Sequence, residues 1–341
     1  MPDAVLPETG NPPIRPAGRP LRRIDPRQAG PLIALIALAA FGTAINADFL
    51  SAGNIANVLT RSAFTGIIAV GATFVITAGG IDLSVGSMAA IVSGVIIVLM
   101  NELAGVLGAG AGVVAIVLAA GLALGALAGL LNGLLVTRGR IEPFIVTLGT
   151  MGIFRSVLVY VANGGTLTLG NEMRALYRPV FYGTLLGVPY PVLLLIAVAA
   201  AGAVLLYATP FGRYCVAIGS NDEVARYSGI SLDGVRTWTY VLQGMCVGLA
   251  CDIYVPRLGS ASSTTGLGWE LEAIAAVIVG GTVLKGGYGR IGGSLVGAII
   301  LTVIGNIMNL SSAVSVYLNG AVQGVIIIAA VLLQRGVAAR R

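Results

Sequence analysis

Gly79-Gly80-Ile81-Asp82-Leu83-Ser84-Val85-Gly86 sets one carboxylate and one hydroxyl between glycines, with apolar runs on both sides. Two glycines end a helix, and Asp82 can cap the next one through the amide of Ser84 or Val85. The other use of such a segment is a helix break that lines a gate, because ionisable groups at membrane depth are costly and face cavities. Gly280-Gly281 and Gly286-Gly287 form a second break about 200 residues later, a weak internal repeat. The candidate gate or helix-break residues are therefore Gly79, Gly80, Asp82, Ser84, Gly280, Gly281, Gly286 and Gly287.

A second polar cluster runs from Thr209 to Ile230 and holds the densest group of charges in the chain. Ser220 or Asn221 can cap a short helix that carries Asp222 and Glu223 in its first turn, where the helix dipole favours acids. Gly229 suits its C-terminal stop. A short capped helix between two apolar segments has the right shape to dock in a groove of another protein, or it is a solvated connector. Other chemistry is sparse. The chain has no histidine and three cysteines. Cys246 and Cys251 fall on different faces of one apolar segment and Cys215 in a polar loop, so neither a metal spacing nor a disulfide framework arises. No Gly-x-x-x-x-Gly-Lys-Ser/Thr phosphate loop occurs, so the chain cannot hydrolyse ATP by itself. No His/Asp or Ser/His constellation supports an enzyme, so no catalytic residue, bound cofactor or metal is expected.

The elements that must position these groups are helices in lipid. The chain is 57% hydrophobic and 10% charged, with mean hydropathy +0.94, against roughly 25% charged residues in soluble domains. Residues 293–333 contain no Asp, Glu, Lys, Arg or His, long enough to cross, turn at Asn309-Leu-Ser-Ser and cross back at about 20 residues per helix. Glycine is abundant, 49 of 341, as close helix packing in lipid requires. The fold expected is an all-α polytopic membrane protein of about ten transmembrane helices with helix breaks. The spans are placed at 31–50, 63–80, 84–100, 112–136, 143–161, 190–208, 238–256, 271–284, 292–310 and 316–334. The shortest, 271–284, is partly re-entrant or needs its flanks to cross, and Asn54 to Thr60 reads as a short interfacial helix. The run Leu32 to Ala44 is expected to be an uncleaved first span rather than a signal peptide.

The arginines and lysines orient this bundle. With the amino terminus inside, fifteen of the twenty fall on the cytoplasmic side and only Arg61, Arg174, Arg178 and Arg257 outside, with Arg155 within a span. That bias satisfies the positive-inside rule and puts both termini in the cytoplasm. Residues 1–30 form a disordered basic cytoplasmic tail, 31–335 the transmembrane domain with the cytoplasmic segment 209–237, and 336–341 a second tail. The net charge of +6 follows from this orientation; the arginines are spread among loops without interleaved aromatics, which argues against nucleic acid. Arg155 is expected to snorkel or to pair with an acid of another span such as Asp252, in a structural role.

The Thr209–Ile230 segment resembles the cytoplasmic coupling loop of permease subunits in bacterial ABC sugar importers of the ribose/galactoside type. Three further segments are similar to the same family, in order. They are Gly79 to Gly86; Asn132-Gly133 with Pro143 to Thr150; and Glu270 to Ala276 with Gly280-Gly281-Thr282 and Gly286-Gly287-Tyr288-Gly289-Arg290. Each glycine-rich piece alone is weak, but four in sequence, from about residue 50 to 330, are specific. The resemblance implies a multi-pass permease of the bacterial inner membrane that moves a small sugar or polyol by alternating access. It implies as partners an ABC ATPase that holds ATP and Mg, a periplasmic sugar-binding protein, and a second permease copy or paralogue. Coupling residues would be Gly212, Arg213, Gly219, Asn221, Glu223, Arg226 and Gly229. A sugar path needs hydrogen-bonding and aromatic groups on the spans: Thr73, Phe74, Thr147, Thr150, Tyr240, Gln243, Asn306, Asn309 and Gln323, each of which also suits an interhelical hydrogen bond. The competing reading is an ion-coupled secondary transporter acting alone, which would need a buried carboxylate or histidine.

Overall fold

A computed structural model describes residues 26–311 and a few scattered residues between 318 and 328. Thirteen helices are described: α1 (Pro26–Ile45), α2 (Ala52–Thr77), α3 (Val85–Leu107), α4 (Ala111–Thr137), α5 (Pro143–Val161), α6 (Asn171–Tyr177), α7 (Pro179–Tyr182), α8 (Tyr190–Ala208), α9 (Pro210–Ser220), α10 (Asp222–Tyr227), α11 (Leu232–Leu258), α12 (Trp269–Val279) and α13 (Ile291–Ser311). Seven of these, α2, α3, α4, α5, α8, α11 and α13, are long and apolar enough to cross a membrane, and the apolar part of α1, Gly30–Ile45, is shorter. The chain is therefore an all-α polytopic membrane protein. The span expected at 271–284 is the 11-residue α12, about 16 Å long at 1.5 Å per residue. It covers only half of a hydrocarbon core of about 30 Å. Most of the span expected at 316–334, including Gln323, the tail expected at 336–341 and residues 1–25 of the tail expected at 1–30 lie outside the described residues, whereas residues 26–30 of that tail open α1.

Two elements differ from expectation for local reasons. Asn54 to Thr60 is not a separate interfacial helix but the opening turns of α2. Ser51 caps that helix through the Asn54 amide, and the Asn54 carboxamide exchanges hydrogen bonds of 3.0 and 2.8 Å with Asn306 of α13. Those polar groups are satisfied by protein, so nothing breaks the helix there. Cys215 is not in a loop. Thr209 caps α9, Pro210 takes its first position, and Cys215 sits on the buried face of that helix with Gly212 and Ile218. Proline is tolerated there because the first-turn amide it lacks would have no partner within the helix.

The core is built around α2, buried along most of its length against α8, α11, α12 and α13. The closest helix pair is α4 with α11. Gly121, Gly125, Gly129 and Gly133 recur every four residues on α4. An added Cβ at Gly125 would lie 2.1 Å from the Gly244 oxygen, and one at Gly129 2.1 Å from the Tyr240 oxygen. Gly244 and Gly248 of α11 meet the same stripe from the other side. Backbone lies on backbone here, and dispersion between tightly packed small residues replaces the hydrophobic force that lipid does not supply. At the opposite end from residues 209–237, β1 (Thr166–Thr168) pairs antiparallel with β4 (Ser260–Ser262), while β2 (Thr184–Leu185) and β3 (Val188–Pro189) form a hairpin.

Gly125→Leu places a branched side chain against the Gly244 carbonyl and is expected to destabilise the protein by about 1–3 kcal/mol or more through overpacking. Gly112→Ala, where an added Cβ meets nothing within 4 Å, is the control. Thermal unfolding in detergent, followed by size-exclusion fluorescence, should separate the two, and equal melting temperatures would refute the glycine seam.

Candidate functional site

The glycine segments singled out in the sequence converge on one junction. α2 ends at Thr77, where Gly79 turns left-handed at φ 80°. The Thr77 carbonyl accepts a 2.9 Å hydrogen bond from the Gly287 amide. Gly219, in the last turn of α9, lies against both: a Cβ added there would sit 1.9 Å from the Thr77 oxygen and 2.4 Å from the Gly287 nitrogen. Gly286, at φ 90°, approaches the Gly79 and Gly219 α-carbons so closely that a Cβ would be 3.1 and 2.9 Å from them. Thus the break after α2, the end of α9 and the turn between α12 and α13 touch through main chain. Gly280 does different work, packing the end of α12 on Gly293 of α13, and Gly281 turns the chain at φ 90°.

Asp82 and Ser84 lie on the other side of the break. The Ser84 amide and hydroxyl both donate to Asp82 Oδ1, at 2.8 and 2.6 Å, and the Asn132 carboxamide of α4 donates to the Ser84 hydroxyl at 2.8 Å. The expected capping bond to the Ser84 amide is therefore present, although α3 itself starts at Val85 with Ser84 as the flanking residue. The Tyr240 hydroxyl of α11 donates to the Ile81 carbonyl at 3.1 Å, closing the turn from a third side.

The 209–237 segment contains two helices rather than one. Asn221 Oδ1 caps α10 by accepting from the Val224 amide at 3.0 Å, with Asp222 and Glu223 in the first turn. Gly229, at φ 76°, ends it while the Ile230 amide donates to the Ala225 carbonyl. Arg236 of α11 pairs with Asp222, a solvent-facing ion pair and hence of modest strength. Phe211 of α9 packs on Phe74 of α2, ring centroids 6.0 Å apart. Arg213, Glu223 and Arg226 are exposed. So are two apolar residues that the sequence reading passed over, Val224 at 61% and Tyr227 at 89%. Their signal was two large apolar side chains, three apart, on a polar six-residue helix. A cavity of about 770 Å³ opens beside α10, lined among others by Gly79, Gly80, Arg140, Glu142, Arg226 and Tyr240.

The described residues among those expected on a path lie in several places. Thr73 is buried, its hydroxyl 2.7 Å from that of Ser294, and Phe74 is packed against α8 and α9. The Thr147 and Thr150 hydroxyls donate to carbonyls of their own helix. Tyr240 lines the large cavity, and Gln243 lines a small one with Asp82. Asn306 and Asn309 line a third, of about 250 Å³ at the other end, beside Phe64, Tyr254, Arg257 and Trp269. Among the described residues Arg155 makes no ion pair with Asp252; its guanidinium donates to the Ser263 and Thr265 carbonyls at 2.8 and 2.6 Å, holding the loop before α12, with Glu270 nearby. Asp252 instead faces Gly121 of α4, where an added Cβ would meet its carboxylate.

Residues 54–331 match the family model described as branched-chain amino acid transport system / permease component. The chain is 41% identical over 310 residues to the ribose import permease protein of Bacillus subtilis, covering 91% of this chain and 93% of that one. It is 40% identical over 310 residues to the ribose import permease protein of Escherichia coli K12, covering 89% and 92%. The D-allose transport system permease protein of the same organism is 37% identical over 306 residues, covering 89% and 90%. No solved structure matches.

Cys215 reports on the junction. Burial pushes its thiol up to about 12, and a thiol that stays protonated is a poor nucleophile. In a background carrying Cys246→Ala and Cys251→Ala, maleimide should label Cys215 slowly. Gly219→Ala, by forcing α9 off Thr77, should speed that labelling about tenfold or more through local opening. An unchanged rate would mean that the contact at Gly219 is not what seats α9.

Proposed function

The chain belongs to the branched-chain amino acid transport system permease component family, and on that premise we propose that it imports a small sugar or polyol as the membrane subunit of an ATP-driven importer. It is a permease and not an enzyme, and it is a multi-pass protein of the inner membrane. The sugar class rests on the names of the relatives. The reading of energy supply rests on one observation: a short docking-shaped helix, α10, follows α9, which is seated backbone to backbone on both helix breaks.

In this reading α10 enters a groove on a separate cytoplasmic ATPase, with Val224 and Tyr227 as apolar anchors and Asp222, Glu223 and Arg226 around them. Closure of the ATPase on ATP and Mg displaces α9, and Gly219 carries that displacement into the ends of α2 and the 280–290 turn. The bundle then exchanges outward- and inward-facing states. Gly212, Arg213, Asn221 and Gly229 shape the coupling element, and Gly79, Gly80, Gly281, Gly286 and Gly287 form the hinge side of it. The remaining parts of the proposal are ten spans with both termini in the cytoplasm, a second permease subunit, identical or paralogous, and a periplasmic binding protein that delivers solute. Segments 163–189 and 257–269 would receive that protein. The β1–β4 pairing, which ties those segments together, and the Arg155 bonds, which tie α5 to the second of them, support the last assignment. Positive-inside bias supports the orientation.

Tyr227→Ala should weaken ATPase association about tenfold or more, in the range of a buried aromatic anchor at an interface, and leave the melting temperature of the isolated permease unchanged. Replacing residues 219–229 by a flexible linker should abolish association and ATP-driven uptake in proteoliposomes. Normal assembly of the linker variant with its ATPase would refute the coupling assignment. Tyr227→Cys in a chain otherwise free of cysteine should label only from the cytoplasmic side, and labelling from the periplasm would overturn the orientation.

A further inference from the structure

Asp82 is 5% exposed, and among the described residues only one of its carboxylate oxygens finds a hydrogen-bond partner. Oδ1 takes both Ser84 hydrogen bonds, while Oδ2 is buried without a partner among the described residues. Gln243 of α11, on the same cavity, is 0% exposed, and among the described residues neither its Nε2 nor its Oε1 has a partner. Asp82, Gln243 and Glu270 of α12 line one cavity of about 10 Å³, the room needed by a single water-sized body. Glu270 is the charged group that acts on Asp82, and it has the same sign. From the other elements packed around the break come the neutral Asn132 and Tyr240. Arg155, near Glu270, commits two hydrogen bonds to the loop carbonyls.

We propose that this cavity is a binding site for one small monovalent cation of sodium size, held by Asp82 Oδ2, the carboxamide oxygen of Gln243 and the carboxylate of Glu270. A water molecule would satisfy hydrogen bonds but leave a buried carboxylate without counter-charge beside a second carboxylate. A divalent ion would want more carboxylate ligands and six or more oxygens, and among the described residues no three His, Cys, Asp or Glu side chains converge. The sequence expectation of no metal site rested on cysteine and histidine spacing, which does not bear on an oxygen-ligated cation. The ion acts as a structural counter-charge. It keeps Asp82 ionised, so that both Ser84 hydrogen bonds and the attached Asn132 hold the start of α3 against α4. It is separate from the energy source for transport.

The purified permease in nanodiscs, at pH 8 and constant ionic strength, is compared in sodium chloride and choline chloride. Sodium should raise the melting temperature by about 3 °C, the size expected for one ligand well above its Kd, and the wild type should bind 22Na+ saturably. Asp82→Asn should lose both effects, and Gln243→Leu should weaken 22Na+ binding about tenfold. Wild-type protein that binds no 22Na+ above background and melts identically in the two salts overturns the proposal, whether or not the variants fold. Stabilisation by acid to the level of Asp82→Asn, with no sodium dependence, also overturns it, because Asp82 then carries a proton.

Discussion

Main chain packed against main chain at Gly219 is the constraint from which the rest follows. Three segments far apart in sequence reach the same few ångströms there: the end of α2, the end of α9 and the turn at Gly286-Gly287. Any side chain at this point would separate them, and with them the junction between the outer polar helix and the buried bundle. In lipid, apolar surface gains nothing by leaving one hydrocarbon for another, so contact depends on how closely backbones can approach. The same rule operates along α4 and α11, where the stripe Gly121, Gly125, Gly129, Gly133 seats α11 and fixes where Tyr240 and Gln243 point.

The two ends of the bundle are held by different chemistry. At the junction end the contacts are amides and carbonyls with little side chain between them. At the other end side chains tie the connections. Arg155 grips two carbonyls of the loop before α12, Tyr177 donates to the Asp252 carbonyl, and Arg257 lies over the rings of Phe64 and Phe181. With the β1–β4 pairing, the Tyr177 and Phe181 contacts fasten the 163–189 connection to the last part of α11 and the strand after it, and Arg155 anchors the loop before α12 to α5. A half-length α12 stands between the two ends, its first turn beside Asp82 and its last beside Gly293.

Much of this was legible in the sequence because it depends on local rules. Apolar length gave the membrane and most of the helices. Cap chemistry narrowed the α10 cap to Ser220 or Asn221 and the Asp82 donor to the Ser84 or Val85 amide, and suggested Gly229 as the stop, each set by residues within a few positions. What was not legible depends on pairs distant in the chain. Composition announced abundant glycine, yet no local signal says that Gly79, Gly219 and Gly287 meet. The Asn54 carboxamide marks an interface unless one knows that Asn306 lies opposite. Arg155 was open to snorkelling or to an acid such as Asp252, and nothing local says that the carbonyls of Ser263 and Thr265, more than a hundred residues on, receive it. The short α12 has the same apolar composition as a full span. The four-residue glycine period on α4 is readable, but by itself it says only that something packs closely. The path residues were chosen by polarity or aromatic character, and those described are scattered among three cavities while Thr73, Thr147, Thr150 and Asn309 bond to carbonyls of their own helices, because a polar group on a span finds its own helix first.

A joint made of peptide groups is indifferent to what passes elsewhere in the molecule. Gly219 and Gly287 have no side chain, and the Thr77 hydroxyl is committed to the Thr73 carbonyl of its own helix, so the linkage itself can remain fixed while side chains lining the cavities change. Constancy of the joint and variation of the cavity linings are thereby separable within one polypeptide.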